Sequence, residues 1–522
     1  MRELIGHRTF LPAVERWADK VGFHDGDHHA TFAEHGERVL RLADAMRREL
    51  GISRGDRFAV MAANSHEFLE LYHAGFLGAG VVNPLNLRLA GQELQFILAD
   101  SATKVVFVDA LFAEHFDRNI AEVRSELPLE KVVLIGDGDA PHDVRYEDLL
   151  RVGHPVVPPE PDETDAVVLM YTGGTTGLPK GVLLDQRAEL LNLYHIGLHL
   201  GFDESRVYLH QTPMFHAASM GGVLGIPGTG ATSVFIPLFE PGGVIDLIEQ
   251  YQVDWTMMVP TMIAMVLDHP RFRPERLSSL RDLVYGASPM PAALLARLQT
   301  LLPTTDLSQG YGMTESSSVL TFLTAADHRR GGAPLRSAGR PVMGVQLRIE
   351  DRDGNALPRG ENGEVCARGG NFMREYWHRP EQTADAFAGG WYHTGDEGHV
   401  DEDGYLYLVD RVKDMIVTGG ENVYSIEVEN AISTHPAVAQ VAVIGIPSDQ
   451  WGEAVHAIVV LAPGQQASEG EIQAHARKSI AGYKVPKSVE FRTEPLPLSG
   501  ALKPLKRELR RPYWDGHEVL VH

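Results

Sequence analysis

Short β-branched apolar runs that end in turn residues alternate with helix-like segments along most of this chain, and few architectures accept that alternation. Val105–Asp109 and Lys131–Gly136 are two such runs. Asp254–Val259 reads as a strand, after which Pro260 opens a helical stretch to Leu267. Leu283–Gly286 reads as another strand, and Pro291 suits the first position of a helix over Ala292–Leu302. Strands without a polar face, separated by helices, belong to mostly buried sheets, so the predicted fold class is α/β. After about Gly344 the pattern changes. Val345–Glu350, the turn pair Asp353-Gly354 and Gly363–Arg368 predict an antiparallel ribbon. Beyond Arg411 a small α+β unit is expected: Ser425 capping a helix over Ile426–Ser433, strands Gln440–Ile446 and Ala454–Leu461, a helix Glu469–Ile480 and a strand Ser488–Arg492.

Composition limits the partners. Lys plus Arg is 47 and Asp plus Glu is 70, a formal charge of −23 over 522 residues. That balance argues against nucleic acid or an anionic membrane surface, both of which need positive potential. No apolar run approaches the ~20 residues of a bilayer span, and the first twenty positions carry charges throughout, so no stable membrane insertion and a cytoplasmic location are expected. The single cysteine, Cys366, excludes an internal disulfide. His24-Asp25-Gly26-Asp27-His28-His29 lies between Val21–His24 and Ala30–Phe32 and reads as the tip of an exposed hairpin rather than a metal cluster.

The most informative stretch follows the apolar run Ala166–Met170: Tyr171-Thr172-Gly173-Gly174-Thr175-Thr176-Gly177-Leu178-Pro179-Lys180-Gly181. Glycines let backbone N–H groups approach an anion, hydroxyls add donors, and a lysine adds mobile positive charge, a combination that suits a polyphosphate. It is no Walker loop, because Pro179 precedes Lys180 and Gly181 follows it. With this string the chain resembles the adenylate-forming superfamily of acyl-CoA synthetases, peptide-synthetase adenylation domains and luciferases. Further motifs follow in the family's order. Gln309-Gly310-Tyr311-Gly312-Met313-Thr314-Glu315 resembles its second signature, which implies Tyr311 against adenine, Thr314 at phosphate and Glu315 as a Mg²⁺ ligand with Thr175. Without the family, Thr314 could equally cap a turn over Glu315–Ser318. Gly286-Ala287-Ser288 resembles the loop between adenine and acyl group. Gly390-Trp391-Tyr392-His393-Thr394-Gly395-Asp396 resembles the ribose-binding segment, with Asp396 accepting the hydroxyls. Arg411 stands at a second ribose position and Lys413 at the pivot between domains. Gly419-Gly420-Glu421 resembles the loop that lines the CoA thiol tunnel. Lys503 matches the C-terminal catalytic lysine. The family has glycine directly before it; here that position is Leu502, which leaves Lys506 as an alternative.

The resemblance implies an N-terminal AMP-binding domain over 1–410, with αβ layers and a β-barrel-like subdomain, and a mobile C-terminal domain over 411–522. It implies an acid–thiol ligase using ATP, Mg²⁺ and CoA. A carboxylate displaces pyrophosphate to give acyl-AMP, and CoA then takes the acyl group. The implied catalytic residues are Lys503, Thr175, Glu315 and His216. Thr172, Gly173, Gly174, Thr176, Gly177, Lys180, Gly310 and Gly312 complete the nucleotide site. Between Arg477 and Arg511 ten Lys/Arg face three Asp/Glu, a local +7 that suits polyanionic CoA and ATP. Met214, Phe215 and Met220 are the expected acyl-pocket residues; His216 replaces the aspartate that amino-acid-activating domains place after phenylalanine. The expected acid is a medium- or long-chain fatty acid, with an aryl or alicyclic acid as the alternative. A homodimer is allowed. An acyl-AMP ligase serving a carrier protein would need an insertion for which this length leaves little room. A peptide-synthetase module would need a carrier domain after Leu509, and the sequence runs to His522. A non-enzymatic nucleotide binder would lack Lys503 or Glu315, and both are present.

Overall fold

A computed structural model describes residues 4–172, 179–411, 415–418, 421–448, 450–500, 502 and 504–515. Among them the strands form four sheets. One has nine strands, in the order Arg340–Pro341, Thr321–Leu323, Asp306–Tyr311, Asp282–Gly286, Trp255–Met258, Val207–His210, Thr232–Phe235, Val21–Asp25 and His28–Thr31. Its six middle strands, from Asp306–Tyr311 to Val21–Asp25, are parallel, as their continuous apolar runs predict. The second has eight strands, from Glu375–Tyr376 through Lys180–Asp185, Ala166–Thr172, Val81–Pro84, Arg57–Met61, Val105–Asp109 and Lys131–Ile135 to Val144–Arg145.

Helices Phe32–Arg48, His66–Ala74, Gln186–Leu200 and Met220–Gly228 share one core with both sheets. Pro241–Tyr251, Pro260–Asp268 and Ala292–Leu301 cover the far face of the nine-stranded sheet. Gly91–Asp100 and Ala110–Ile120 cover the far face of the other. Five layers, helix–sheet–helix–sheet–helix, result. Local signals fix the element ends. Thr31 and Glu34 bond each other's backbone N–H groups at 3.2 and 2.8 Å and start Phe32–Arg48, a box worth about 1 kcal/mol.

The antiparallel region expected to be barrel-like is a four-stranded sheet of Gln346–Glu350, Gly363–Arg368, Tyr392–Val400 and Leu406–Arg411. Cys366 is buried on its second strand, and burial, with Glu364 beside it, pushes the thiol up to about 12. The C-terminal sheet runs Glu421–Val423, Ile416–Thr418, Gly452–Leu461, Val438–Ser448, with Ser488–Arg492 parallel to Gly452–Leu461. Ser425–Ser433 and Glu469–Ala476 pack on one face; Lys506–Trp514 packs on the other through Leu509 and Tyr513.

Three local expectations change. Ser425 is the first residue of its helix and not its cap, because its hydroxyl accepts from Lys506 Nζ at 2.6 Å. Pro291 stays extended at ψ 133° and caps Ala292–Leu301 from outside. The His24–His29 segment is a hairpin turning at Gly26 (φ +59°), yet Asp25 is not a free surface acid. Its Oδ2 accepts from both His66 Nδ1 at 2.8 Å and His66 N at 3.0 Å, one internal ion pair. No helix among the described residues is long and apolar enough to cross a membrane.

Candidate active site

The chemistry-bearing motifs meet where parallel strands of both large sheets end, the edge at which open α/β sheets hold ligands. Asp282–Gly286 and Asp306–Tyr311 run side by side with Gly286 opposite Gly310. A Cβ on Gly286 would lie 2.2 Å from the Gly310 carbonyl oxygen, and one on Gly312 would lie 2.1 Å from that of Ser318. Only glycine permits these approaches. Ala287 follows at φ +64°, a left-handed conformation that costs a non-glycine residue about 1 kcal/mol or more. Strain here bends the chain out of the strand, so that Ala287 and Ser288 form a half-buried loop beside Tyr311.

Tyr311 Oη donates to Asp396 Oδ2 at 2.7 Å, joining the second signature to the ribose motif across 85 positions. Asp396 is 7% exposed and lies opposite Arg411 in the sheet. Thr314 sits inside the turn Thr314–Ser316 and does not cap it. Glu315 Oε1 accepts from Tyr376 Oη at 2.8 Å, and Tyr376 Oη lies 3.3 Å from Tyr392 Oη. Burial first, then the Glu315 charge, raises both phenols above their usual range, so Tyr376 remains a donor. Lys180 Nζ stands 5.3 Å over the Tyr376 ring. Thr172 pairs with Lys180 across the antiparallel strands that bracket 173–178. Lys180, Tyr376 and Glu315 thus form one contact chain at the mouth of the glycine-rich segment.

Sequence reasoning missed Tyr376 and Asn371. Asn371 Nδ2 donates to the carbonyls of Ser316 at 2.9 Å and Val319 at 3.0 Å and clamps the turn after Glu315. Neither residue stands in a recognisable spacing; Tyr392 did lie inside the ribose motif.

The acyl segment is rigid. Met214 N donates to Asn64 Oδ1 at 2.8 Å, and its carbonyl accepts from Tyr72 Oη at 2.7 Å. His216 Nδ1 accepts from Ala218 N at 3.1 Å, which makes Nδ1 the unprotonated nitrogen and leaves Nε2–H as a donor. Met214 and Met220 are buried and Phe215 is half-buried. The helix Met220–Gly228 packs closely: Cβ atoms on Gly221, Gly222 and Gly225 would fall 2.5–2.8 Å from Ile196, Tyr208 and Leu193.

Two features separate Lys503 from Lys506. Lys506 Nζ is held by Ser425 Oγ at 2.6 Å and Glu429 Oε1 at 2.7 Å. Leu502 stands at φ +58°, the conformation that a glycine adopts freely. The departure at this position therefore leaves the backbone shape as a glycine would have it. Gly173, Gly174, Thr175, Thr176, Gly177, Lys413, Gly419, Gly420 and Lys503 itself lie outside the described residues, and Arg411 and Glu421 are placed by their strands alone.

Residues 10–377 match the family described as AMP-binding enzyme, and residues 427–503 match AMP-binding enzyme C-terminal domain. A feruloyl-CoA synthase of an Amycolatopsis species is 40% identical over 485 residues, 92% of this chain and 93% of its own. The long-chain-fatty-acid–CoA ligase FadD13 of Mycobacterium tuberculosis is 36% identical over 487 residues, covering 93% and 94%. The solved structure of the anthranilate CoA ligase AuaEII in complex with anthranoyl-AMP aligns with a TM-score of 0.89 at 28% identity, over 98% of this chain and 97% of that one.

Proposed function

The chain belongs to the AMP-binding enzyme family of acid–CoA ligases, and from that premise we propose how its residues divide the work of two half-reactions. In the first, a carboxylate oxygen of the acid attacks the α-phosphorus of ATP and the bond to pyrophosphate breaks, leaving acyl-AMP. In the second, the CoA sulfur attacks the acyl carbon and the bond to AMP breaks.

Neither step needs a protein nucleophile. Positioning and preorganised donors carry the catalysis. Thr172, Thr175, Thr176, Lys180 and the amides of Gly173, Gly174 and Gly177 hold the phosphates. Tyr311 covers the adenine between Gly310 and Gly312, with Gly286, Ala287 and Ser288 on its other side. Asp396 and Arg411 take the ribose, and Thr314 meets the α-phosphate. Glu315 offers a fit for Mg²⁺: Tyr376 engages only one of its oxygens, and a hard cation accepts the other. Bound there with Thr175, the ion would neutralise charge on the phosphates. His216 presents Nε2–H to the carboxylate, and Lys503 stabilises charge on the α-phosphate. Lys413 acts as the pivot, and Gly419, Gly420 and Glu421 admit the thiol. The observation that carries this reading is the joining of Tyr311 to Asp396 at 2.7 Å beside the Lys180–Tyr376–Glu315 chain.

Met214, Phe215 and Met220 would line the acyl pocket. The filled glycine faces of Met220–Gly228 support a pocket closed on that side, which suits a compact aryl acid. A medium- or long-chain fatty acid is the second reading, supported by the FadD13 relative. A panel of aryl and C6–C16 acids, assayed for AMP release with and without CoA, tests both. The expected result is CoA-dependent AMP release strongest with aryl acids. Strongest turnover with long alkyl chains would reverse the order, and no AMP from any acid would remove the ligase reading.

Asp396→Ala should raise the ATP KM about 10–100-fold, the worth of one charge-assisted hydrogen bond. An unchanged KM in steady-state kinetics would remove Asp396 from the ribose site.

A further inference from the structure

We propose that Asn86 and Arg88, in a part of the chain without a family signature, are positioning residues that seat the loop carrying Lys503 for the first half-reaction. The proposal rests on the functional reading above. Arg88 Nη1 donates to the carbonyls of Leu498 and Ser499, each at 3.2 Å, across more than 400 positions. Asn86 is held ready by its own turn, with Oδ1 accepting from Arg88 N at 3.0 Å. Gly500 lies flat against that amide: a Cβ there would fall 2.4 Å from Asn86 Oδ1 and 2.7 Å from Nδ2.

The seated loop is closed on itself. Leu502 N donates to Ser499 O at 2.9 Å, Leu505 N donates to Pro497 O at 2.9 Å, and Leu498 bridges Pro504. It touches both large sheets. Asn86 follows strand Val81–Pro84, which runs parallel to Ala166–Thr172 and ends at the same edge. Leu502 packs on the core of the nine-stranded sheet, where the half-buried Ala287 and Met290 also pack. The loop therefore reaches from the turn after Val81–Pro84 to the core on which the Gly286–Ser288 loop packs. Leu502 holds a left-handed backbone that burial of its side chain offsets, which glycine could not do.

The contacts suit a seat that must also release. One guanidinium shared by two neutral carbonyls, one flat glycine and one apolar plug leave no buried charge behind when the loop departs for the thiol step.

The test separates the half-reactions. Arg88→Ala should lower acid-dependent ATP–pyrophosphate exchange roughly tenfold while thioester formation from supplied acyl-AMP stays at the wild-type rate. Arg88→Lys should recover part of the loss. Gly500→Ala should act as Arg88→Ala does, because its methyl strikes Asn86. A general loss of folding would lower both half-reactions and the melting temperature together, and that outcome overturns the proposal. Undiminished exchange in both Arg88→Ala and Gly500→Ala overturns it as well. Absence of exchange in the wild-type enzyme across the acid panel would instead strike the functional reading, and is scored separately.

Discussion

Lys503→Ala is expected to abolish acid-dependent ATP–pyrophosphate exchange, a loss of about 10²–10³-fold, while sparing thioester formation from supplied acyl-AMP. The reasoning is electrostatic. Negative charge grows on the departing pyrophosphate only in the first step, so a cation aimed at the bond to pyrophosphate favours that step over the second. Lys180 cannot substitute, because it is already committed over the Tyr376 ring beside Glu315. Lys506 cannot either, because Glu429 and Ser425 hold it within the C-terminal unit. Exchange and thioester rates that fall by the same factor would reassign Lys503, and a larger loss in Lys506→Ala would exchange the two lysines.

Glu189→Gln is expected to stabilise the protein, and by an amount that grows with pH. Glu189 lies in helix Gln186–Leu200, is fully buried, and has no hydrogen-bond partner for either carboxylate oxygen among the described residues. Burial, and then the neighbouring Asp185, pushes its carboxyl from the usual 4.5 up to about 8. Below about 4.5 both the folded and unfolded chains keep the proton. Between 4.5 and 8 the unfolded chain releases it and the folded chain does not, so stability falls as pH rises, and above 8 the loss is complete. At 1.36 kcal/mol per pH unit the penalty at pH 7 is about 3 kcal/mol. A neutral glutamine side chain at this position carries no such penalty. Melting curves of the two proteins should coincide near pH 4.5 and separate progressively toward pH 8. A separation that does not change with pH would show that the Glu189 carboxyl ionises normally.

Much of this molecule is legible along the chain, for a local reason. The strands Val105–Asp109 and Gly363–Arg368 fall where β-branched runs meet turn residues, because those elements are decided by burial of a short continuous segment. The nucleotide motifs are legible because close backbone approach admits only glycine, as at Gly286 and Gly312. What escapes is set by partners distant in sequence. Ser425 carries the local signature of a cap, yet Lys506, 81 positions away, takes its hydroxyl. Tyr376 reaches Glu315 across 61 positions, and Arg88 reaches Leu498 across 410. Glu189 reads as an ordinary helix former, since nothing around it announces that it lies on the buried face of its helix.

Cys366 is the chain's sole cysteine; it is buried, and its thiol is held protonated up to about 12. A maleimide dye or a chromogenic disulfide will therefore find no native target on the folded enzyme. Consumption of free CoA can be followed colorimetrically without background from the protein. The same silence lets a pair of introduced surface cysteines, one on each side of Lys413, take donor and acceptor fluorophores cleanly, so that the proposed rotation of the C-terminal unit can be tested as a change of distance during turnover.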